Sequence, residues 1–491
     1  MTTRPLRSLR FYHRGRIVEI DAAPATRTVL EWLREDQRCG GTKEGCAEGD
    51  CGACTVVIGE AGPDGLELKP VNACIQFLPA LDGRALFTVE DLATAGRLHP
   101  AQQAMVDCHG SQCGFCTPGF VMSLWACAER HQAAGTKPTR QELADALSGN
   151  LCRCTGYRPI LDAGERMFDL APQPLDPAPV LAALKQMAAD PALELASGWH
   201  APKTLAEFAA LRAARPEARI VAGSTDMGLW VTKQLRDLGE LIWIGAVDEL
   251  RRVEVREGRL VIGAGASLEQ AWSALATHWP ELREVGLRFA SLPIREAGTM
   301  GGNVANGSPI GDSAPVLMAL GAGLVLRRGD AQRRIALEDF YTGYMKNRLE
   351  AGEFVEALEV PLPAAGWQVR TYKISKRFDC DISAVCAALA VKVAGGRVAA
   401  ARLAFGGMAA TVKRAALTEA ALVGQAWNEA TLVAAQAALA QDFEPLTDMR
   451  ASADYRRRVA QNLLRRFWLE TRPDDPLAPA ATSVWAREEV A

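Results

Sequence analysis

The chain has 491 residues, 49% hydrophobic and 23% charged, with a formal net charge of −3. That length implies about three domains. The near balance of charge predicts no nucleic-acid face and no attraction to an anionic membrane, and the longest nearly apolar run, residues 314–326, is too short to span a bilayer.

Residues 1–20 carry charge but no apolar core, so the sequence predicts no signal peptide and a cytoplasmic protein. In a reducing compartment disulfides are disfavoured, and the 13 cysteines read instead as redox or metal ligands. Most of them fall in two tight groups before residue 155. The scattered ones, Cys39, Cys108, Cys127, Cys380 and Cys386, read as small buried hydrophobes.

"SLRFYHRGRIVEID" predicts a hairpin turning at Arg14-Gly15. "TVLEWLRED" places Thr28 and Glu31 in capping-box register ahead of a helix. Then come Cys46, Cys51 and Cys54, spaced C-x4-C-x2-C, with Cys74 further on. This is the plant-type ferredoxin spacing for a [2Fe–2S] cluster. A loop wrapped around two irons must turn its N–H groups toward sulfur, and Gly45, Gly49 and Gly52 are expected to supply the unusual dihedrals. A zinc site is the alternative, but zinc motifs pair two short C-x2-C units. "CTVVIG" reads as a strand leaving the loop.

"HPAQQAMVDCHG" reads as a helix, and Pro118 sits where another could begin. "TRQELADALSGN" carries a second capping box, Thr139 and Glu142, with a stop at Gly149-Asn150. Cys113 and Cys116, and Cys152 and Cys154, therefore lie on two turns between helices. Taken alone, this spacing suits zinc or iron–sulfur.

"GTKEGCAEGDCGACTV", "QCGFCTPGF" and "GNLCRCTGYRPI" resemble the two [2Fe–2S] domains of the xanthine oxidase family of molybdenum hydroxylases. The resemblance implies a β-grasp ferredoxin-like domain over residues 1–88 and a helical-bundle [2Fe–2S] domain over 89–168. It also implies that the helical cluster lies nearer the molybdenum, with Gln112 beside the molybdopterin.

Residues 171–180 hold four prolines and read as stiff and extended. The expected linker covers 169–191. "RIVAGSTDMGLW" and "REAGTMGGNVANGSPIGDSAPVL" follow, each read as a small-residue loop after an apolar strand-like run. Neither is a G-x-G-x-x-G fingerprint, so no Rossmann site is expected. Clustered N–H groups could hold a pyrophosphate; two tight surface turns are the other reading. "VAGSTDMG", "TMGGNVANGSPIGD" and "YKISKRFDCDISAV" resemble the flavin domain of the same family, with its vanillyl-alcohol-oxidase-type FAD fold. That domain is expected over 192–366. By the resemblance, Ile220, Val221, Ala222, Gly223, Ser224, Thr225, Asp226 and Met227, with Thr299, Met300, Gly301, Gly302 and Asn303, would cradle the diphosphate, ribose and adenine. Phe289, Asp312 and Lys373 would contact the flavin, and loop 373–382 would lie near the isoalloxazine, where NAD+ docks.

Residues 367–480 alternate strand and helix patterns and resemble the α+β C-terminal domain of carbon monoxide dehydrogenase flavoproteins; the last dozen residues read as a mobile end. Nothing here resembles a molybdenum domain. The resemblance is to the iron–sulfur/FAD small subunits of the family's bacterial xanthine dehydrogenases. It implies a large molybdopterin-binding partner, a heterotetramer of two small and two large chains, and electrons from hypoxanthine or xanthine passing through two clusters to FAD and then NAD+. A same-architecture subunit of an aldehyde or N-heterocycle oxidoreductase is the alternative. No catalytic dyad is expected in this chain beyond the flavin, and His13, His99, His109, His131, His200 and His278 read as structural.

Overall fold

A computed structural model describes residues 7–94 and 96–482. The predicted mobile end lies outside the described residues from 483 onward. The chain divides into two compact units. One holds residues up to 251 with 267–269 and 290–299; the other holds 252–266, 270–289 and the chain from 300 onward.

The first unit begins with a five-stranded β-grasp sheet. Its strands are β1 (Leu9–His13), β2 (Arg16–Ile20), β3 (Thr55–Gly62), β4 (Gly65–Asn72) and β5 (Ala85–Phe87), in the order β2-β1-β5-β3-β4. Only β1 and β5 pair in parallel. Arg14 and Gly15 turn the first hairpin at φ +50° and +77°, the paired left-handed geometry that matches strand twist. The short helix α1 (Val29–Glu31) opens on the expected capping box: Thr28 N–H donates to the Glu31 carboxylate at 2.7 Å, and Glu31 N–H to the Thr28 hydroxyl at 3.1 Å.

The apolar run of β3 has a simple cause. Successive side chains point to opposite faces. Val56 and Ile58 enter one core with Leu9, Phe11 and Phe77. Val57 enters another with Phe87, Phe120 and Trp125. The strand is buried on both sides, so no polar alternation is possible.

The second core belongs to helices α2 (Pro100–Asp107), α3 (Thr117–Ala133), α4 (Arg140–Leu147) and α5 (Arg158–Arg166). Pro118 sits in the first turn of α3, where its missing N–H costs nothing. Thr139 and Glu142 form the predicted box at α4.

The proline-rich stretch departs from expectation. Residues 171–176 are irregular, but α6 (Pro177–Ala188) is a helix, with Pro177 at its start and the Asp176 carboxylate capping Ala178 N–H at 3.0 Å. Proline breaks a helix interior, not its first turn. Val180, Leu184 and Met187 recur at helical spacing and are buried in the second core, and α6 packs on β1, β3 and β4. The Glu129 carboxylate accepts Leu175 N–H at 3.2 Å and Trp125 Nε1–H at 3.0 Å, fixing the approach to α6.

The unit continues into a four-stranded sheet, ordered Leu193–Leu195, Trp199–Ala201, Leu241–Trp243, Arg219–Val221. A charge hub joins it to the β-grasp sheet. The buried Glu60 carboxylate meets Arg84 at 2.8 Å, Lys69 at 2.9 Å and Arg251 at 2.5 Å. The Arg84 guanidinium also lies 4.7 Å above the Trp243 ring.

The second unit has an antiparallel five-stranded sheet over 253–361 and a four-stranded one starting at Trp367–Ile374. Gly395 and Gly396, at φ +56° and +73°, turn the long hairpin Val385–Ala394 with Arg397–Gly406. Ala416–Leu422, Glu429–Asp442 and Ala453–Thr471 supply the helices of its core.

Two predictions arise. Leu184→Ala should destabilise the fold by about 2–5 kcal/mol, read from urea unfolding; a spacer-like segment would show no change. Burial alone would raise the Glu60 carboxyl, but Arg84, Lys69 and Arg251 outweigh it and hold the group well below its ordinary value of 4.5. Its stabilisation is therefore present above that value and lost as pH falls through it toward the folded value. Glu60→Gln, which takes the shared anion from Arg84 and Arg251 and leaves Lys69 only Glu67 at 3.1 Å, should cost about 3–5 kcal/mol at neutral pH; an unshifted unfolding midpoint would remove the hub from this account.

Candidate functional site: two thiol groups and two small-residue segments

Cys46, Cys51, Cys54 and Cys74 come together at one end of the β-grasp sheet. Hydrogen bonds from Cys51 and then Cys74 hold the Cys46 sulfur far below the ordinary thiol range. The donor side is pushed up: Cys51 by its bond to Cys46, and Cys74 by bonds to Cys46 and Cys54. The Cys46 sulfur also accepts N–H bonds from Glu48 and Cys51, both at 3.4 Å. Gly49 and Gly52 are left-handed at φ +78° and +69° as expected, and so is Ala47 at +54°. Gly45 is not. A Cβ there would lie 2.7 Å from the Cys51 sulfur, so its bareness makes room for sulfur and not for an unusual dihedral. Cys54 and Cys74 are buried, and Cys46 and Cys51 half-buried.

The second group forms where the turn between α2 and α3 meets the turn between α4 and α5. Burial, then the neighbouring Cys152, pushes the Cys116 thiol up to about 12. Cys154 is raised by its hydrogen bond to Cys113. Cys152 is lowered although burial opposes this: its sulfur accepts the Thr155 hydroxyl at 3.3 Å and Thr155 N–H at 3.5 Å. Cys113 and Cys154 are exposed, as is Gln112. Among the described residues no group of three or more His, Cys, Asp or Glu side chains is arranged to hold a single metal ion. Thiolates that accept backbone and hydroxyl hydrogen bonds suit iron–sulfur ligation. Cys39, Cys127 and Cys386 are buried as expected, while Cys108 and Cys380 are only half-buried.

In the first unit, residues 220–227 run from the strand Arg219–Val221 into the helix Met227–Thr232. Ser224 is left-handed at φ +61°. Gly223 lies against the 290–299 segment, where a Cβ would meet Ala297 O at 1.8 Å. The Thr232 hydroxyl donates to Ala47 O at 2.7 Å, which ties this helix to the first cysteine loop. Thr299 forms an isolated bridge with Ser267.

In the second unit, Met300, Gly301, Gly302 and Asn303 are not a loop after a strand, as the sequence reading had it. They open the helix Met300–Asn306; of the apolar residues before them in the chain, some lie in the helix Arg283–Arg288 of this unit and others in the helix Leu292–Ala297 of the first. A Cβ on Gly301 would meet Ala264 Cα at 2.5 Å, so this glycine serves the chain's own close packing. Phe289 is buried 6.0 Å from the Trp272 ring. Asp312 and Lys373 form a buried ion pair at 2.6 Å. Ser383, which the sequence reading missed, completes a trio: its hydroxyl donates to Asp312 at 2.7 Å and accepts from Lys373 at 2.8 Å. No local signal links these positions, which come from separate elements.

Each unit also holds unmet hydrogen-bonding capacity. In the first, Ser224 Oγ is buried and lacks a partner; in the second, Asn303 Oδ1 and Ser313 Oγ are buried and lack partners. Such atoms are costly unless something supplies the bond, so each loop taken by itself suits contact with a polar group.

Four domain families match the chain in order: a 2Fe-2S iron-sulfur cluster binding domain over 11–77, a [2Fe-2S] binding domain over 88–165, the FAD binding domain in molybdopterin dehydrogenase over 193–363, and the CO dehydrogenase flavoprotein C-terminal domain over 370–471. The chain belongs to the xanthine oxidase family of molybdenum hydroxylases. Xanthine dehydrogenase of Emericella nidulans is 32% identical across 94% of this chain, and that of Drosophila subobscura 34% across 81%. The family member described here spans only 38% and 34% of the length of those relatives. Among solved structures, reconstituted CO dehydrogenase from Oligotropha carboxidovorans matches 55% of this chain and 94% of its own, at 29% identity and a TM-score of 0.52. Quinoline 2-oxidoreductase from Pseudomonas putida 86 matches 57% and 98%, at 27% identity and a TM-score of 0.51. No helix among the described residues is long and apolar enough to cross a membrane.

The Asp312–Lys373 pair gives a direct test. Asp312→Asn leaves a buried ammonium without its anion and should cost about 3–5 kcal/mol. Adding Lys373→Met to that variant should recover much of the loss, and a strictly additive double-mutant cycle would show that the pair does not interact.

Proposed function

We propose that this chain is the electron-transfer part of a molybdenum hydroxylase of the xanthine dehydrogenase type. Substrate oxidation at molybdenum on a large partner chain leaves two electrons. This chain conducts them singly toward FAD, and the acceptor is NAD+. When bound, the clusters supply one-electron and the flavin two-electron chemistry.

In this reading Cys113, Cys116, Cys152 and Cys154 hold the cluster that receives electrons, and Cys46, Cys51, Cys54 and Cys74 hold the next. The difference in exposure supports that order. A group with two exposed thiols suits the face toward a partner, and a largely buried one suits the interior. The Thr232–Ala47 bond supports the next link, since it sets the 220–227 loop beside the inner group. Residues 220–227 and 299–303 would bind the nucleotide portion of FAD, with Phe289, Asp312 and Lys373 toward its ring. The likeness to quinoline 2-oxidoreductase favours a second reading, in which the same conduit serves an N-heterocycle hydroxylase. Steady-state assays of the complex with purines and with quinolines, with and without NAD+, separate the two.

The observation that carries the proposal is the gathering of eight thiols into two groups of four in one unit. Purified protein should contain about four irons per chain and flavin absorbance. Cys51→Ser should remove one cluster EPR signal and leave flavin bound; persistence of both signals would overturn the assignment.

A further inference from the structure

The two thiol groups meet at a junction that the sequence shows only as a helix stop. Leu151 N–H donates to the Cys51 carbonyl at 3.0 Å. Cys51 belongs to the inner group, and Leu151 directly precedes Cys152 of the outer one. From one sulfur to the other, the route therefore runs along main chain and is interrupted by a single hydrogen bond.

Asn150 holds this contact in place. It is 2% exposed. Its Nδ2 donates to Gly52 O and to Thr55 Oγ1, both at 3.1 Å, and its Oδ1 accepts from the Ser123 hydroxyl at 2.6 Å. Thr55 closes the ring by donating to Gly52 O at 2.7 Å. Both amide donors are used and directed at the inner loop, while the amide oxygen is anchored on α3. The surrounding backbone leaves no slack. A Cβ on Gly52 would meet Gly149 O at 2.2 Å, and one on Gly119 would meet Gly52 O at 2.1 Å. No member of this ring is an acid or a base in the physiological range, so the junction offers no site for a proton to follow an electron.

We propose that Asn150 is the positioning residue of an inter-cluster bridge, and that the Leu151–Cys51 hydrogen bond it braces is the bonded route for electron exchange between the two clusters. The proposal rests on the cluster assignment above. One cluster is oxidised, the other is reduced by the same electron, and no atom changes place. An aspartate at 150 would turn oxygen toward the Gly52 carbonyl. An alanine would leave the Ser123 hydroxyl without its acceptor and remove the link from this segment to Gly52 O and Thr55 Oγ1, while Gly52 O keeps the bonds from Thr55.

The test uses the full, cofactor-loaded chain. In Asn150→Ala, both cluster EPR signals and the iron content should remain. The spin–spin splitting between the reduced clusters should weaken, and inter-cluster equilibration in rapid-freeze experiments should slow by about tenfold or more, as expected when positioning is loosened. Ser123→Ala, which keeps the bonds to Gly52 and Thr55, should shift both readouts in the same direction but less, and it decides the matter if Asn150→Ala does not fold. A variant that loses thermal stability but keeps wild-type splitting and rate would overturn the bridge. Absence of two cluster signals in the unsubstituted chain would overturn the cluster assignment instead.

Discussion

Three stretches of main chain meet at Gly52 with no space for one more carbon atom. The inner cysteine loop, the first turns of α3 and the segment entering Cys152 all converge there. Such a contact cannot be relaxed piecemeal, because interiors are packed too densely to absorb a shift of a few tenths of an ångström. The remainder of the first unit can be read as the scaffold that delivers these strands to that spot. β3 leaves the inner loop directly and is gripped on both faces, and α3 starts one residue after Cys116.

Energetically the unit combines two kinds of fastening. Apolar burial on either side of β3 is broad and undirected. The Glu60 hub is local and directional: one carboxylate serves three cations from β4, from the turn before β5 and from the end of the 248–251 helical turn. A hub of that type adds little net stability compared with a well-packed apolar contact, but it strongly penalises arrangements that strip a charge of its partner. It thus selects one docking of the β-grasp sheet on the neighbouring four-stranded sheet. The Lys373–Asp312–Ser383 trio does the same for the second unit, joining two sheet-associated positions to the start of the helix Ser313–Leu320.

Much of this was legible in the sequence because its signals are local. The cysteine spacings, the capping boxes at Thr28 and Thr139, and the Arg14-Gly15 turn each depend on residues a few positions apart. The failures have physical reasons too. Pro177 and Pro179 hid a helix because proline was weighed as a breaker without regard to its place in the first turn, although Val180, Leu184 and Met187 already showed the period. Met300–Asn306 was hidden by its glycines, which are tolerated in a helix because Gly301 packs directly on Ala264. Gly45 was grouped with its left-handed neighbours, since composition cannot distinguish a glycine chosen for dihedral from one chosen for space. Asn150 showed only as part of a helix stop and Ser383 gave no signal: the partners of both are remote in the chain, and only the fold brings them together.

α6 alters what the chain connection itself is for. Because Val180, Leu184 and Met187 are seated among strands and helices that precede them in the chain, the peptide bonds at 171–176 are not what keeps the following sheet beside the sulfur-bearing modules. A protease nick there, or a gene split at the same point, would leave the downstream fragment with its own anchor. Covalent continuity and physical cohesion are separable at this site, and one polypeptide could become two without dissolving the assembly.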